Sequence, residues 1–286
     1  MIQDIAPRRL INRFENQKPT AQDEVMCFQG NSLLVSYDEQ RRSLRFPRYA
    51  DCPEGFDAVY LFRIDERAFF LLPDAVPGPE GYSFRTMQEI RSFPLDGNAD
   101  MFAVYSAYHL WKWYTSNRFC GACGGKTERD TVERAMFCPA CGDKMYPRIN
   151  PAVIIGVTNG DKLLLTKYKT GFAHNALVAG FTEFGETLEE TVAREVMEEV
   201  GLRVKHIRYY KSQPWGVAAD ILAGFYCQVD GNDTIRMDEN ELKYAEWVRR
   251  EEIVLQPNDY SLTNEMMRLF KENKVEDFYL REEMPC

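Results

Sequence analysis

The amino-terminal third of the chain alternates short apolar runs with turn residues. Between residues 25 and 74 the runs read VMCFQG, SLLVSYD, AVYLFRID and RAFFLLPD, and the breaks around them hold Pro, Gly, Asp and Asn. Apolar runs of this length, bounded by turn residues, predict β-strands. We therefore expect a β-rich domain at this end of the chain.

Helical spacing replaces this pattern over residues 98 to 117. Asn98 or Asp100 can serve as the N-cap, because short polar side chains accept hydrogen bonds from the first free amides of a helix. Apolar side chains follow at helical spacing, at Met101, Val104, Tyr105, Tyr108, Leu110 and Trp111. The pattern predicts one helix that leads into a cysteine-rich segment.

Strand-like runs return in the second half of the chain. Two of them flank Asn159-Gly160, a dipeptide typical of tight hairpins. Further strands are predicted near residues 203 to 211 and 220 to 230, and a last helix near residues 260 to 273. Strands that surround helices in this order predict an α/β sandwich.

The acidic composition limits the kinds of partner that the protein can bind. The chain holds 35 Lys and Arg against 44 Asp and Glu, a formal net charge of −9. This balance disfavours tight, non-specific binding of nucleic acid, which needs many cationic side chains, and it suits carboxylates that hold divalent cations. The sequence starts without the apolar run of a signal peptide, and no stretch approaches the roughly 20 apolar residues that span a bilayer. We expect a soluble, cytoplasmic protein without a membrane partner.

Four of the eight cysteines form two CxxC pairs. Cys120-x₂-Cys123 and Cys138-x₂-Cys141 are separated by 14 residues, and glycines beside each pair allow tight turns. Four thiolates at this spacing close a tetrahedron around one Zn²⁺ and leave no position for water, which indicates a structural site. Two disulfides or a redox-active CxxC are the alternatives, which neither an export signal nor a thioredoxin-like context supports. The remaining cysteines are expected to be free thiols, namely Cys27, Cys52, Cys227 and Cys286.

Residues 180 to 202 carry the strongest chemical signal. They read GFTEFGETLEETVAREVMEEVGL. Thr187 begins a predicted helix with acidic residues in its first turn, and Gly201 ends it. An apolar stripe recurs every four residues and is expected to be buried, at Leu188, Val192, Val196 and Val200.

Glu195, Glu198 and Glu199 share another face of this helix, since they lie at i, i+3 and i+4. Neighbouring carboxylates repel one another unless cations neutralise them. Mg²⁺ or Mn²⁺ binds through oxygen ligands and can bridge substrate phosphates, and a cluster of such ions can orient water. The pattern predicts a catalytic metal site, with a solvated acidic face as the alternative.

The same run matches Gly-x₅-Glu-x₇-Arg-Glu-apolar-x-Glu-Glu-x-Gly-apolar at every fixed position and so resembles the box of the Nudix hydrolase family. The resemblance implies hydrolysis of a pyrophosphate bond with more than one Mg²⁺ or Mn²⁺ ion. It implies that Glu195 and Glu199 are the leading metal ligands, with Glu198 in support. Arg194 is implied to orient these glutamates.

Two ligands outside the helix follow from the same resemblance. The turn at Gly180 is implied to bring the backbone carbonyl of Ala179 to a metal. A further acidic ligand is implied downstream of the box, where Glu241 in NELKYAEW occupies a matching position, with Glu239 and Glu246 as neighbours. Glu241 is also the candidate base that activates water.

Segments on both sides of the box indicate which substrate the enzyme cleaves. The four-cysteine ribbon before the box, the join YPRINPAVI at 146 to 154 and the stretch SQPW at 212 to 215 resemble the NAD(H) pyrophosphatase subfamily. The resemblance covers roughly residues 115 to 270. It implies hydrolysis of NAD(H) to nicotinamide mononucleotide and AMP by a homodimer. Removal of an NAD cap from RNA 5′ ends, and hydrolysis of ADP-ribose or another nucleoside diphosphate derivative, are the enzymatic alternatives.

The specificity motif departs from the subfamily after its first four residues. The subfamily pattern is SQPWPFPxS, whereas this chain continues SQPWGVAAD. Gly216 and Ala218 replace prolines, Val217 replaces an aromatic residue, and Asp220 replaces a serine. These changes remove a ring and a hydroxyl and add an anion, which keeps the alternative substrates open.

The resemblance also implies a set of substrate-binding side chains. Phe181 and Trp215 are candidates to pack against a flat base, as aromatic faces do. Tyr146 is a candidate to reach the site across a homodimer interface. The remaining implied contacts are Glu133 near the ribbon, Gln213 and the backbone around Thr263. For every aromatic residue here, core packing is the alternative.

Together these patterns predict a mixed fold, α+β or α/β, in three parts. Residues 1 to 115 form a β-rich amino-terminal domain that ends in a helix, residues 116 to 147 a Cys₄ zinc ribbon, and residues 148 to 286 a Nudix α/β/α sandwich. A non-catalytic alternative is a zinc-ribbon regulator whose Nudix domain senses nucleotide. The retained glutamates of the box argue against it.

Overall fold

The structure is a computed structural model, which describes residues 1–53, 56–169 and 174–275. The chain divides into two compact units. The amino-terminal unit comprises residues 2–148 together with Gly216–Ala219, and the carboxy-terminal unit comprises Met1, Ile149–Trp215 and the chain from Asp220 onward. The predicted division into three domains stays a prediction.

The described residues of the amino-terminal unit form a seven-stranded sheet. Its strands are β1 (Leu10–Ile11), β2 (Glu24–Gln29), β3 (Ser32–Asp38), β4 (Ser43–Arg45), β5 (Val59–Ile64), β6 (Arg67–Leu72) and β7 (Ser83–Thr86). The order is β1-β5-β6-β2-β3-β4, with β7 paired to β3. Val25, Tyr60 and Phe70 belong to one buried cluster of this unit. The predicted β-rich region is therefore confirmed.

Two helices follow this sheet, α1 (Met87–Ser92) and α2 (Ala99–Ser116). Asn98 is the N-cap residue of α2, although its side chain makes no capping hydrogen bond. The predicted helix over 98 to 117 is confirmed, whereas α1 was not predicted. The cysteine segment then forms a three-stranded sheet of β8 (Glu128–Arg129), β9 (Met136–Phe137) and β10 (Lys144–Met145), in the order β10-β9-β8.

Within its described part, the carboxy-terminal unit has a six-stranded mixed sheet, two α-helices and a short 3-10 helix at Arg250–Glu252. The elements are β11 (Asn150–Asn159), β12 (Lys162–Tyr168), β13 (Val178–Phe181), α3 (Leu188–Val200), β14 (Val204–Trp215), β15 (Asp220–Val229), β16 (Leu242–Arg249) and α4 (Leu262–Lys271). The order is β14-β15-β11-β12-β16, and β13 pairs with β11. The predicted hairpin at Asn159-Gly160 joins β11 to β12, where Gly160 has a φ of +60°.

Successive side chains of the central strands point to opposite faces of the sheet, so each face has its own apolar layer. Val153 and Ile155 of β11 pack in one cluster with α3, while Ile154 packs in the other cluster with α4. The predicted stripe of α3 is buried in the first cluster, with Val192 and Val196 at 0% exposure. One helix therefore covers each face of the sheet, which confirms the predicted α/β/α sandwich. Strand β16 was not predicted.

Among the described helices, none combines the length and the apolar character needed to cross a membrane.

Candidate active site

Gly180 lies in β13, at the point where this strand packs against α3, the helix that carries the glutamates of the box. A Cβ atom at this position would lie 2.0 Å from the carboxylate carbon of Glu195 and 2.0 Å from its Oε1. Such distances are far below van der Waals contact. Glycine is therefore the residue that allows the Glu195 carboxylate to lie against the backbone of β13.

Local hydrogen bonds fix both ends of α3. The Thr187 side chain accepts from the Glu190 N–H at 3.2 Å, and the Glu190 carboxylate accepts from the Thr187 N–H at 2.8 Å. This pair is a capping box. Gly201 ends the helix with a left-handed φ of +68°. The predicted start and end of the helix are both confirmed.

Arg194 connects the carboxylates at the surface of this helix. Its guanidinium donates to Glu186 at 2.6 and 2.9 Å, to Glu195 at 2.7 Å, to Glu198 at 2.9 Å and to the Phe181 carbonyl at 2.9 Å. The hydrogen bonds from Arg194 lower the pKa of Glu186 to about 2. Arg194 thus anchors the loop before the helix and orients the glutamates within it.

Glu199 is the buried member of the carboxylate group, with 3% exposure. Burial raises its pKa to about 8, and the charges of Glu195 and Glu241 act in the same direction. The Tyr168 hydroxyl lies 3.2 and 3.4 Å from the two carboxylate oxygens and 3.3 Å from the Ala179 carbonyl oxygen. Burial raises the pKa of Tyr168 far above its usual value, so the phenol keeps its proton.

Glu241 precedes β16 and is exposed, and its carbonyl accepts a hydrogen bond from the Lys169 N–H at 3.0 Å. Burial raises the pKa of Glu195, and the charges of Glu198 and Glu241 act in the same direction. The carboxylates of Glu195, Glu199 and Glu241 and the Ala179 carbonyl offer only oxygen donors, which are the ligands that hard divalent cations take. These carboxylate oxygens lie farther apart than the ligand atoms of a bound metal ion. Across the described residues, the potential ligand atoms that lie within 4.8 Å of one another, in a group of three or more, are the sulfurs of the four ribbon cysteines.

The four ribbon cysteines converge as predicted. Cys120 Sγ lies 3.6 Å from Cys141 Sγ, and Cys123 Sγ lies 3.5 Å from Cys138 Sγ. All four sulfurs lie within 4.8 Å of one another and are free thiols, which suits a tetrahedral Zn²⁺ site. Among the other cysteines, the predicted free thiols at Cys27, Cys52 and Cys227 are confirmed, and Cys286 lies outside the described residues.

Two of the predicted substrate contacts are open to solvent. Phe181 is 54% exposed at the end of β13, and Tyr146 is 55% exposed after β10. The Tyr146 hydroxyl donates to Glu133 at 3.0 Å, and the Lys144 ammonium donates to the same carboxylate oxygen at 2.7 Å. Glu133 and Tyr146 thus form one polar group beside the ribbon, and their contact with a ligand stays a prediction.

Gln213 occupies a different environment, because its side chain is fully buried. The amide donates to the Tyr260 carbonyl at 2.8 Å and accepts from the Leu262 N–H at 2.7 Å. In this structure it joins β14 to the first turn of α4. Trp215 is half-buried at the end of β14, and Thr263 is half-buried in the first turn of α4. Ligand contacts by these residues also stay predictions.

The altered half of the SQPWGVAAD motif has a structural basis at two positions. A Cβ atom at Gly216 would lie 2.1 Å from the Tyr105 carbonyl oxygen, so a proline cannot occupy this position without displacing the backbone. Asp220 is 7% exposed and accepts from the Asn150 side chain at 3.4 Å. Nothing in the structure explains the changes at Val217 and Ala218.

Tyr168 is a residue of the site that was not identified from the sequence. No motif marks it, because it lies outside the box and its partners come from β13 and α3. Strand alternation was the available signal: Leu164 and Tyr168 lie an even number of residues apart, and both pack on the face that α3 covers.

Two domain models match the parts of the chain that carry the carboxylates and the cysteines. The NUDIX domain model matches residues 148–270, and the NADH pyrophosphatase zinc ribbon domain model matches residues 115–146. The NAD-capped RNA hydrolase NudC of Stutzerimonas stutzeri is 34% identical over 217 residues, which cover 75% of this chain and 74% of that protein. The protein of the same name from Escherichia coli O157:H7 is 40% identical over 151 residues, 52% of this chain and 58% of its own length.

Among solved structures, a NUDIX hydrolase from Nitrosomonas europaea aligns with 23% identity and a TM-score of 0.49, covering 56% of this chain and 93% of its own.

Proposed function

Since the chain belongs to the Nudix hydrolase family and carries the zinc ribbon domain of NADH pyrophosphatases, we propose that it hydrolyses NAD(H) to nicotinamide mononucleotide and AMP. The observation that carries this proposal is the Arg194 network, which orients Glu195 and Glu198 beside the buried carboxylate of Glu199. That arrangement supports a site for a diphosphate and its cations.

The residues of the site have separate roles in this proposal. Glu195, Glu199, Glu241 and the Ala179 carbonyl hold more than one Mg²⁺ or Mn²⁺ ion, and Glu198 supports them. When bound, such ions neutralise phosphate charge and lower the pKa of water. Glu241, exposed beside these ligands, takes a proton from the water that attacks phosphorus.

Phe181 packs against a base of the dinucleotide. The other proposed contacts with the substrate are Trp215, Tyr146, Glu133, Gln213 and Thr263.

Purified protein incubated with NADH and Mg²⁺, with AMP release followed by chromatography, tests this proposal. Glu199→Gln is expected to lower the rate by more than the roughly 10- to 100-fold typical of a metal's outer-shell partners, because a metal ligand itself is lost. Glu189→Gln, an exposed change in the first turn of the same helix, is the matched control and is expected to keep the rate. No AMP from the wild type would refute the substrate, and a normal rate in Glu199→Gln would refute the metal assignment.

A second substrate is supported by the relatives that carry the name NAD-capped RNA hydrolase NudC. Removal of an NAD cap is the same bond cleavage on a longer molecule. The net charge of −9 opposes long contacts with RNA phosphates. Values of kcat/KM on free NADH and on NAD-capped RNA at several salt concentrations distinguish the two substrates.

Two further alternatives stay open to test. ADP-ribose or another nucleoside diphosphate derivative is favoured by the departures in SQPWGVAAD, and the same substrate panel measures it. A regulator that senses nucleotide without cleaving it would bind NADH and release no AMP. The intact glutamates of α3 support catalysis instead.

Zinc binding, assembly and cellular location are properties of the whole protein. One Zn²⁺ in the cysteine tetrad is proposed to stabilise the ribbon. The protein is proposed to act in the cytoplasm as a homodimer, in which Tyr146 reaches the partner's site. Light scattering and metal analysis of the purified protein test the assembly and the zinc content.

A further inference from the structure

Tyr168 ends β12 on the face of the sheet that α3 covers. It packs against the same apolar cluster as Leu164, two alternations earlier. The pairing of β12 with β16 shifts in register between Lys167 and Tyr168. Tyr168 therefore reaches the box helix from a different strand than the one that carries Gly180.

The Tyr168 hydroxyl lies within hydrogen-bonding distance of two of the proposed metal ligands, the Glu199 carboxylate and the Ala179 carbonyl. It lies 3.2 and 3.4 Å from the Glu199 carboxylate oxygens and 3.3 Å from the Ala179 carbonyl oxygen. A phenol has one proton to donate, so the two acceptors share a single donor. The hydroxyl thus marks the point where the carboxylate from α3 and the carbonyl from β13 converge.

The residue after Tyr168 is hydrogen-bonded to the backbone of Glu241, another proposed metal ligand. The Lys169 N–H donates to the Glu241 carbonyl at 3.0 Å. The end of β12 is therefore bonded, within two residues, to the segments that supply Ala179, Glu199 and Glu241.

Burial makes the hydroxyl important for Glu199. A buried carboxylate needs hydrogen-bond donors, and Glu199, 3% exposed, has the Tyr168 hydroxyl as its side-chain donor and the Ala179 N–H as a backbone donor. Groups that hydrogen-bond to metal ligands fix the orientation of those ligands and increase metal affinity.

We propose that Tyr168 is a positioning residue, whose hydroxyl holds the Glu199 carboxylate and the Ala179 carbonyl in the arrangement that binds the divalent cation. The proposal rests on the proposed function for the identity of the site. It adds a residue outside the box that controls cation affinity.

Titration of Mn²⁺ into the full chain, with free Mn²⁺ measured by electron paramagnetic resonance, tests this role. Tyr168→Phe keeps the ring and removes one oxygen, and it is expected to weaken Mn²⁺ binding about 10-fold or more. The Mn²⁺ concentration that gives half the maximal rate on NADH should rise by a similar factor, while kcat at saturating Mn²⁺ changes little. Should this variant fail to fold, Tyr168→Met, which also lacks the hydroxyl, is titrated in its place.

Tyr226→Phe is the matched control. It removes another fully buried hydroxyl of the same sheet, one that donates to the Met266 carbonyl at 2.7 Å on the face covered by α4. Its Mn²⁺ affinity is expected to match the wild type. The proposal is overturned if Tyr168→Phe binds Mn²⁺ within about twofold of the wild type, or if both variants weaken binding equally. Because the titration needs no substrate, a wild type that binds Mn²⁺ without cleaving NADH would contradict the proposed function alone.

Discussion

The contact between Gly180 and Glu195 leaves no room for a side chain, which makes the glycine a residue-scale test of the site. Gly180→Ala would place a methyl group 2.0 Å from the Glu195 carboxylate and displace it from Arg194. We expect a loss of NADH turnover of about 10- to 100-fold, as when the orientation of a metal ligand is disturbed. Steady-state kinetics measure it.

Gly121→Ala is the control for this substitution. A Cβ atom at Gly121 meets nothing within 4 Å, and its φ is not left-handed. The control is expected to keep both the rate and the Tm of the wild type. A Gly180→Ala variant with the normal rate would show that Glu195 does not need its place against β13.

At the scale of single elements, the start of α4 depends on one side chain of β14. Gln213→Ala would remove the partners of the Tyr260 carbonyl and the Leu262 N–H, which lie in a buried region. Each buried group left without a partner costs about 1–3 kcal/mol. We therefore expect a lower free energy of unfolding, measured with urea.

The matched comparison for Gln213 is Gln228→Ala. Gln228 lies near the exposed end of β15, and its loss is expected to be close to neutral. A raised KM with unchanged stability in Gln213→Ala would instead support the predicted contact between this residue and the substrate.

At the scale of the whole molecule, the cysteine tetrad predicts dependence on zinc. Cation binding by four thiolates contributes directly to the folding free energy of a small metal module. We expect one zinc per chain by elemental analysis, and a lower Tm after treatment with a strong chelator. Cys138→Ser should reproduce the loss, and Cys52→Ser, outside the tetrad, should not. A metal-free protein with the wild-type Tm would contradict this prediction.

Local signals in the sequence predicted a large part of the molecule. The ends of α3 depend on Thr187 and Gly201, and the hairpin depends on Gly160, so each could be predicted from a few adjacent residues. The cysteine tetrad was likewise predicted from spacing alone. The resemblance of the box to a family pattern pointed to Arg194, and in the structure Arg194 donates hydrogen bonds to Glu195 and Glu198.

Long-range contacts explain what the sequence did not reveal. Tyr168 acquires its role from partners 11 and 31 residues away, and Gln213 from partners 47 and 49 residues away. Gly216 is constrained by the Tyr105 carbonyl on α2, a contact that no local pattern encodes. Strand β16 was missed because NELKYAEW mixes charged and apolar residues and gains its pairing from β12.

The parallel pairing of β11 with β15 has a consequence for the order of folding. It joins residues 70 positions apart, from Asn150 with Asp220 to Thr158 with Gln228. The whole box is synthesised inside this interval, so α3 leaves the ribosome before Phe225 of β15, which shares its apolar cluster. A nascent chain that stops short of Asp220 carries the box glutamates on a helix that can already pack against β11 and β13, but the edge of β11 that pairs with β15 has no partner strand. Such chains are targets for chaperones, because long-range parallel pairs form late.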